Sequence, residues 1–253
     1  MKKTVWSILT GLLLVAGLWA QGPTGPEIIR KVNDILAPET SHGISRMTIT
    51  TSSGQERTFL SESWSGNKGE KNLVRYLEPR RVKDQAVLML NDADDIWMFF
   101  PRTRRVRKLA SHAKKQKMQG SDFSYEDMGG GDGFITEFSA RRRADETWAE
   151  QTCHVVELTR LPESDSSYSR VVIRVRRDDF MPLTIDYFHE KDPQRHEKQL
   201  VLSDIRIIDG IPTAMRAVMH NRNDNTRTVL EMVSVEYNRE LPDGLFTERE
   251  LKK

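Results

Sequence analysis

The feature of this sequence that most constrains its fold is a long series of short runs with the two-residue period of β-strands. Apolar and polar residues alternate in runs such as RMTIT (46–50) and SRVVIRVRR (169–177), and Gly, Pro, Asn and Asp separate one run from the next. About six runs lie before residue 110 and about six after residue 150. Because no helix of crossover length separates successive runs outside residues 110–145, the pattern predicts a mainly β (α+β) chain with one large antiparallel sheet, strongly curved or barrel-like.

A single amphipathic helix is predicted ahead of the sheet. In PEIIRKVNDIL (26–36) the apolar residues recur at helical spacing, Pro26 suits a first helical turn, and Pro38 ends the pattern. A second, short helix is predicted in GLFTERELKK (244–253). No long polar linker interrupts the chain, so residues 21–253 are expected to form one domain.

Residues 1–20 have the three parts of a secretory signal peptide. Two lysines form the basic start, an apolar run extends from Val5 to about Leu18, and Ala20 suits the position before cleavage. The run is shorter than the roughly 18–20 residues needed to span a bilayer, which argues against a membrane anchor. No Cys follows it, so acylation of the mature N-terminus is not expected. The mature chain is therefore predicted to be exported to the periplasm after cleavage near Ala20.

Charge and cysteine content exclude several classes of protein. Without Lys2 and Lys3, the 39 basic residues fall to 37, equal to the 37 acidic ones. A neutral mature chain argues against general nucleic-acid binding, which needs a large positive excess. Cys153 is the only cysteine, which excludes disulfides and cysteine-based metal sites. We expect its thiol to be packed in the interior.

One segment concentrates positive charge. Between Asp95 and Asp122 there is no acidic residue, and an aromatic pair and a proline stand directly before the first basic residue. Three interpretations are open: a solvated strand and loop, a docking site for an acidic protein or an anionic membrane surface, or a nucleic-acid site, which export disfavours. The segment contains eight basic residues: Arg102, Arg104, Arg105, Arg107, Lys108, Lys114, Lys115 and Lys117.

Searches for catalytic and metal-binding patterns point away from an enzyme. None of the six histidines forms an HExxH motif or an i, i+4 pair, no GxSxG occurs, and no acidic run has the spacing of an EF-hand. The glycine-rich run 129–133 lacks the residues of a phosphate-binding loop and is interpreted as the hinge of a lid. We therefore expect no catalytic residue, no metal and no cofactor; a hydrolase that uses His154 or His220 is the alternative.

Several strands are apolar on both faces, as in AVLML (86–90) and IWMFF (96–100). A one-sided antiparallel sheet would alternate, so both faces must be covered, either by packed layers or, on one face, by a hydrophobic cavity. Alternation defines a face but not which face points inward, since a shift of one residue inverts the assignment. The candidate cavity-lining residues, each of which could instead be core, are Met47, Ile49, Leu60, Trp64, Leu88, Leu90, Trp97, Phe99, Ile173, Ile185 and Met219.

The segment FFPRTRRVRKLASHAKKQKMQGSDFSYEDM (99–128) resembles a pattern in the LolA-like outer-membrane lipoprotein-sorting family. The resemblance extends over about residues 24–250; it is specific in this segment, whereas the flanking strands match only in style. The matching positions are Pro101, Arg104, Arg105, Val106, Gly120, Ser121, Asp122, Phe123, Tyr125, Glu126 and Asp127.

The resemblance implies an incomplete, strongly curved antiparallel β-barrel of about 10–12 strands, with the N-terminal helix and short lid helices over an apolar cavity. Such a cavity would shelter the acyl chains of lipoproteins or lipids on their way to the outer membrane, since each methylene exposed to water costs about 0.8 kcal/mol. The implied partners of such a carrier, expected as a monomer, are an inner-membrane transporter and an outer-membrane acceptor.

Two alternatives stay open at this point. On the same scaffold, the chain could be a protein-binding or sensor module of envelope stress or of an export pump, without lipid transport. The polar motif residues Asp122, Tyr125 and Glu126 either belong to the lid or serve only as local caps and loop anchors.

Overall fold

The computed structural model describes residues 22–129 and 131–253, so the predicted signal peptide lies outside the described residues. One helix precedes a series of strands, and a segment with little strand structure separates the sixth strand from the seventh. The strands are β1 Thr40–Thr50, β2 Glu56–Gly66, β3 Lys71–Glu78, β4 Ala86–Leu90, β5 Asp95–Phe100, β6 Arg105–Lys108, β7 Phe138–Arg142, β8 Glu146–Trp148, β9 Gln151–Arg160, β10 Tyr168–Arg176, β11 Pro182–His189, β12 His196–Ile208, β13 Ile211–Asn221 and β14 Thr226–Tyr237.

These strands form one antiparallel sheet, which is curved and open. Its order is β6-β5-β4-β3-β2-β1-β14-β13-β12-β11-β10-β9-β7, and β8 pairs with β9 beside β7. The first and last strands therefore join two halves at the centre of the sheet, and the edges carry short strands. The predicted fold class is confirmed. The predicted runs correspond to β1–β6 and β9–β14, and the short strands β7 and β8 bring the described number to 14.

Helix α1, Gly25–Leu36, forms where the sequence predicts a helix. The Thr24 hydroxyl accepts a hydrogen bond from the Glu27 backbone N–H, and the Glu27 carboxylate accepts one from the Thr24 backbone N–H at 2.8 Å. This reciprocal capping box satisfies two backbone donors that the helix itself leaves free. The buried face of α1, made of Ile28, Ile29 and Val32, packs on β9–β11 and defines the inner face of the sheet.

Both faces of β3–β5 are covered, which explains their continuous apolar runs. On the inner face, Val87 and Met89 pack in a core with residues of the segment that follows β6. On the outer face, Leu88 and Phe99 pack against the C-terminal tail, in which Leu251 is fully buried. Burying a leucine side chain contributes about 1.5–3 kcal/mol. The tail ends in a 3₁₀ turn, Glu250–Lys252, within the predicted short helix.

Residues 109–137, hereafter the middle segment, lie over the inner face. They contain two 3₁₀ turns, Ser111–Lys115 and Met118–Gly120, followed by helices α2, Tyr125–Gly129, and α3, Gly133–Thr136. The segment contributes buried side chains to the core under α1 and to the core of β1–β5, so it connects both halves of the sheet. None of the described helices has the length and apolar character needed to cross a membrane.

Candidate functional site

A mostly apolar cavity of about 380 Å³ lies between the inner face of the sheet and the three helices. Its walls come from β1–β3, β7, β10–β12 and β14, and its roof from the end of α1 and from α2 and α3. The volume falls within the ~300–1,000 Å³ of pockets that take small molecules. Among its apolar lining residues are Leu36, Val74, Phe134, Ile185, Leu200 and Val235.

The charged groups that border the cavity are all acidic in the described part of the chain: Asp92, Glu126, Asp127 and Glu137, with no lysine, arginine or histidine. Burial raises the pKa of Asp92, and the neighbouring carboxylate of Asp132 raises it further. Burial also raises the pKa of Glu126, although hydrogen bonds from two serine hydroxyls oppose that shift. The cavity therefore combines apolar walls with a negative border.

Asp127 fastens α2 to the sheet through a buried ion pair. Its Oδ2 accepts a hydrogen bond from Lys198 Nζ at 2.5 Å, and its Oδ1 accepts one from the Tyr168 hydroxyl at 2.7 Å. Lys198 Nζ also lies 5.0 Å from the centre of the Tyr168 ring and 5.5 Å from that of Tyr187. Both charges of the pair are almost fully buried. Removing one partner of such a pair leaves an uncompensated charge, which is strongly destabilising.

Asp122 fastens the preceding turn to β14. Its carboxylate accepts hydrogen bonds from the hydroxyls of Thr226 and Thr228, the latter at 2.8 Å, and its backbone N–H donates to Thr228 Oγ1 at 2.9 Å. Glu126 makes the next attachment, to the turn between β9 and β10, where Ser166 and Ser167 donate to its carboxylate. These acidic residues of the motif therefore tie the middle segment to the second half of the sheet.

Gly129 at the end of α2 and Gly131 between α2 and α3 pack closely against the turn between β4 and β5. A Cβ placed on Gly129 would lie 2.4 Å from Ala93 Cβ, and one on Gly131 would lie 1.6 Å from Asp92 Oδ1. Gly131 also has a φ of +49°, which favours glycine. Close backbone approach is thus one reason for glycine here; the predicted role of this run as a hinge stays a prediction.

The basic segment divides into paired lysines and exposed arginines. Lys114 Nζ is buried between Asp94 at 2.9 Å and Asp165 at 2.5 Å, which belong to turns of opposite halves of the sheet. The remaining lysines pair with single turns or strands: Lys108 with Asp95, Lys115 with Glu190, and Lys117 with Asp224. Lys114, Lys115 and Lys117 thus strengthen the attachment of the middle segment, whereas Arg102, Arg104, Arg105 and Arg107 are exposed.

Comparison with known proteins shows which family and which solved structures this chain resembles. A family model whose description names only an uncharacterized protein matches residues 68–253. A crystal structure described as an outer membrane lipoprotein-sorting protein domain from Vibrio parahaemolyticus superposes with a TM-score of 0.81 at 23% identity, covering 90% of this chain and 98% of that chain. The chain belongs to the family that this model describes, and its fold is LolA-like.

Two further structures have the same LolA-like fold. A DUF1329 family protein from Desulfovibrio piger has a TM-score of 0.81 at 25% identity, covering 90% of this chain and 97% of that chain. A LolA superfamily protein from Nitrosomonas europaea has a TM-score of 0.75 at 21% identity, covering 90% of this chain and 99% of that chain. No curated protein matches the sequence.

Of the residues that alternation proposed for the cavity of this LolA-like chain, Trp64 and Ile185 border it, as do Glu126 and Asp127 of the motif. Met47 and Ile49 lie in the core of β1–β5, and Ile173 and Met219 lie in the core under α1. Leu60 is half-buried on β2. The other motif positions lie around the roof of the cavity. Ser121 and Phe123 are buried beside Asp122, and Tyr125 packs in the core of β1–β5. Gly120 has a φ of +72°.

Five proposed cavity residues have side chains that pack on the opposite face of the sheet. Leu88, Leu90, Trp97 and Phe99 pack with the C-terminal tail rather than towards the cavity, and Trp64 packs in the same outer cluster although it also borders the cavity. The physical reason is the period of two: Val87 and Met89 take the inner face of β4, so their neighbours in sequence must take the outer face. Pro101, Arg104 and Arg105 also lie away from the cavity, at the turn between β5 and β6.

Sequence reasoning missed the lining residues Met232, Val235 and Tyr237 of β14. Ile44 pairs with Ser234 but Ser45 pairs with Met232, so Val233 is the extra residue of a β-bulge and is exposed. The bulge brings Met232 and Val235, three residues apart, to the same side of the sheet. In the sequence, the one sign of this bulge is a break in the alternation of apolar and polar residues within TVLEMVSVEY (228–237).

The residues named for a hydrolase have other partners. His154 Nδ1 lies 3.2 Å from the Asp145 carboxylate and 3.4 Å from Arg142, with no serine hydroxyl among its described hydrogen-bond partners. Burial lowers the pKa of His220, and Arg227 lowers it further. Cys153 is fully buried, and burial raises the pKa of its thiol. In residues 22–129 and 131–253 no group of three or more His, Cys, Asp or Glu is placed to hold a metal.

Proposed function

We propose that this LolA-like chain is a periplasmic carrier that shelters acyl chains of lipoproteins or lipids in its cavity and moves them towards the outer membrane. The observation that carries the proposal is the mostly apolar cavity between the open sheet and its helical roof. The fold shared with the lipoprotein-sorting domain supports it. An acyl chain cannot cross an aqueous compartment unprotected, because each exposed methylene costs about 0.8 kcal/mol.

The roof gives the carrier a means of uptake and release. Helices α2 and α3 are short and are held by polar contacts and by close backbone packing rather than by long helical interfaces. A cargo larger than about 380 Å³ requires these helices to move outward. Uptake and release are then two populations of one chain, with the roof open or closed.

The proposal is tested by extracting the purified mature protein with organic solvent and by titrating it with a fluorescent acyl probe. We expect bound lipid in the extract and saturable binding of the probe. Absence of both would contradict the carrier and favour the protein-binding or sensor module instead.

A matched pair of variants shows whether the cavity is the binding site. Val235→Trp fills the cavity from β14, whereas Val233→Trp makes the same change at the exposed bulge residue two positions away. We expect Val235→Trp to weaken probe binding at least tenfold and Val233→Trp to leave it unchanged. Equal affinities in the two variants would place the probe outside this cavity.

A further inference from the structure

Two turns with many basic residues lie at one end of the sheet. The first residue of β4, Ala86, lies opposite Arg75 of β3 and Phe99 of β5. Because β4 pairs with both neighbours, the turn that enters it, residues 79–85, and the turn that leaves β5, residues 101–104, are at the same end of the sheet.

Seven basic side chains on and beside these turns form what we call the arginine end. All seven are exposed, and none forms an ion pair within the part of the chain that the structure describes. The two turns and β6 carry one carboxylate, Asp84, and Glu78 stands directly before the first turn. The members are Arg80, Arg81, Lys83, Arg102, Arg104, Arg105 and Arg107.

The contrast with the lysines of the same region is that this positive charge forms no ion pair among the described residues. Lys114, Lys115 and Lys117 each reach a carboxylate of a turn and so fasten the middle segment. The arginines extend from two turns at one end of the sheet and from the edge strand β6, where Arg107 lies over the ring of Phe100 at 5.7 Å. An unpaired, exposed group of like charges attracts an anionic partner and repels itself in its absence.

We propose that the arginine end docks the protein onto the surface of an anionic phospholipid membrane, an inference that rests on the proposed carrier function and names where the carrier meets its cargo. Guanidinium groups bind phosphate oxygens with two parallel hydrogen bonds, so arginine suits lipid head groups. The half-buried Phe100 and Pro101 beside the charges provide the apolar part of an interfacial contact.

The placement of the charges favours a membrane over an acidic protein. The charges lie on two turns at one end of the sheet and on its edge strand β6, beside the half-buried Phe100 and Pro101. Such turns can touch a flat, laterally mobile surface together. Docking there would also bring an open edge of the sheet to the lipid, while the negative border of the cavity remains separate from the positive end.

The test is co-sedimentation of the mature protein with vesicles of phosphatidylglycerol and phosphatidylcholine and with vesicles of phosphatidylcholine alone. One variant removes four charges from the arginine end: Arg80→Gln, Arg102→Gln, Arg104→Asn and Arg105→Gln, with asparagine at 104 because φ is +52° there. The matched control removes four exposed charges elsewhere: Arg30→Gln, Arg141→Gln, Arg177→Gln and Arg249→Gln.

We expect binding to the anionic vesicles only, weakened by added salt, with a loss on the order of 100-fold in the first variant and little change in the control. Equal binding by both variants, or no binding by the unchanged protein, would overturn the proposal. Equally tight, arginine-dependent binding of polyglutamate would overturn it in favour of an acidic protein. The acyl-probe affinity of the same samples separates the two proposals: probe binding without vesicle binding rejects the docking alone, and loss of probe binding in all samples rejects the carrier.

Discussion

At the scale of single residues, the pair formed by Asp127 and Lys198 is the buried ion pair that attaches α2 to the sheet. Asp127→Asn removes the charge that compensates a buried ammonium, so we expect the free energy of unfolding to fall by about 3 kcal/mol. Urea unfolding measures the change. The control, Asp178→Asn, removes an exposed carboxylate without a described hydrogen bond and should shift the midpoint little. Equal midpoints for the two variants would show that the ion pair contributes nothing net.

Glu126 gives the roof a dependence on pH. Burial raises its pKa in the folded protein, so folded chains bind more protons than unfolded ones in the interval above the ordinary glutamate pKa. Its contribution to stability is therefore complete below the unfolded pKa and is lost as pH rises through the folded pKa. We expect Glu126→Gln to lose less stability than the unchanged protein as pH rises through this interval, measured by urea unfolding at a series of pH values. Parallel curves of unfolding free energy against pH for the two proteins would contradict a raised pKa of Glu126.

At the scale of elements, the helices and strands themselves could be predicted from local sequence patterns, but which face of a strand points inward could not. Helix α1 depends on Pro26, Glu27 and nearby apolar spacing, all of which are readable in sequence. The inward side of β4 depends instead on a tail more than 150 residues away, because Leu245 and Leu251 cover Leu88. The bulge at Val233 is likewise fixed by pairing with β1 and not by the sequence of β14 alone.

The connection between α2 and α3 provides a test of close packing. Gly129→Ala places a methyl group 2.4 Å from Ala93 Cβ, so we expect a loss of about 1–3 kcal/mol in unfolding free energy and a displaced α2. Gly133→Ala is the control: its Cβ would meet nothing within 4 Å, and alanine favours the helix that begins there. Thermal unfolding should therefore show a lower midpoint for the first variant and an equal or higher one for the second. Unchanged midpoints in both variants would mean that the turn at Ala93 shifts to admit the methyl group without loss of stability.

At the scale of the whole molecule, the open sheet and the LolA-like fold were readable because both halves repeat the same strand pattern around one specific motif. The short strands β7 and β8 escaped prediction because three to five residues are too few to establish a period. The motif predicted an important segment, but its chemistry became clear only in the fold: the acidic residues are anchors for a roof, and their partners Thr228, Ser166 and Lys198 lie 40 to 106 residues away.

The charge distribution of the whole molecule predicts which head groups its cavity accepts. Of the four carboxylates that border the cavity, only Asp127 is paired with a described cation, Lys198. An acyl ligand with an ionised carboxylate head would meet repulsion there, so we expect hexadecanol to displace a bound acyl probe about tenfold better than palmitate at pH 7. The difference between hexadecanol and palmitate in displacing the probe should become smaller in Glu137→Gln and stay unchanged in Asp178→Asn. Palmitate competing as well as hexadecanol would show that the carboxylates do not face the bound head group, and that chain burial alone sets affinity.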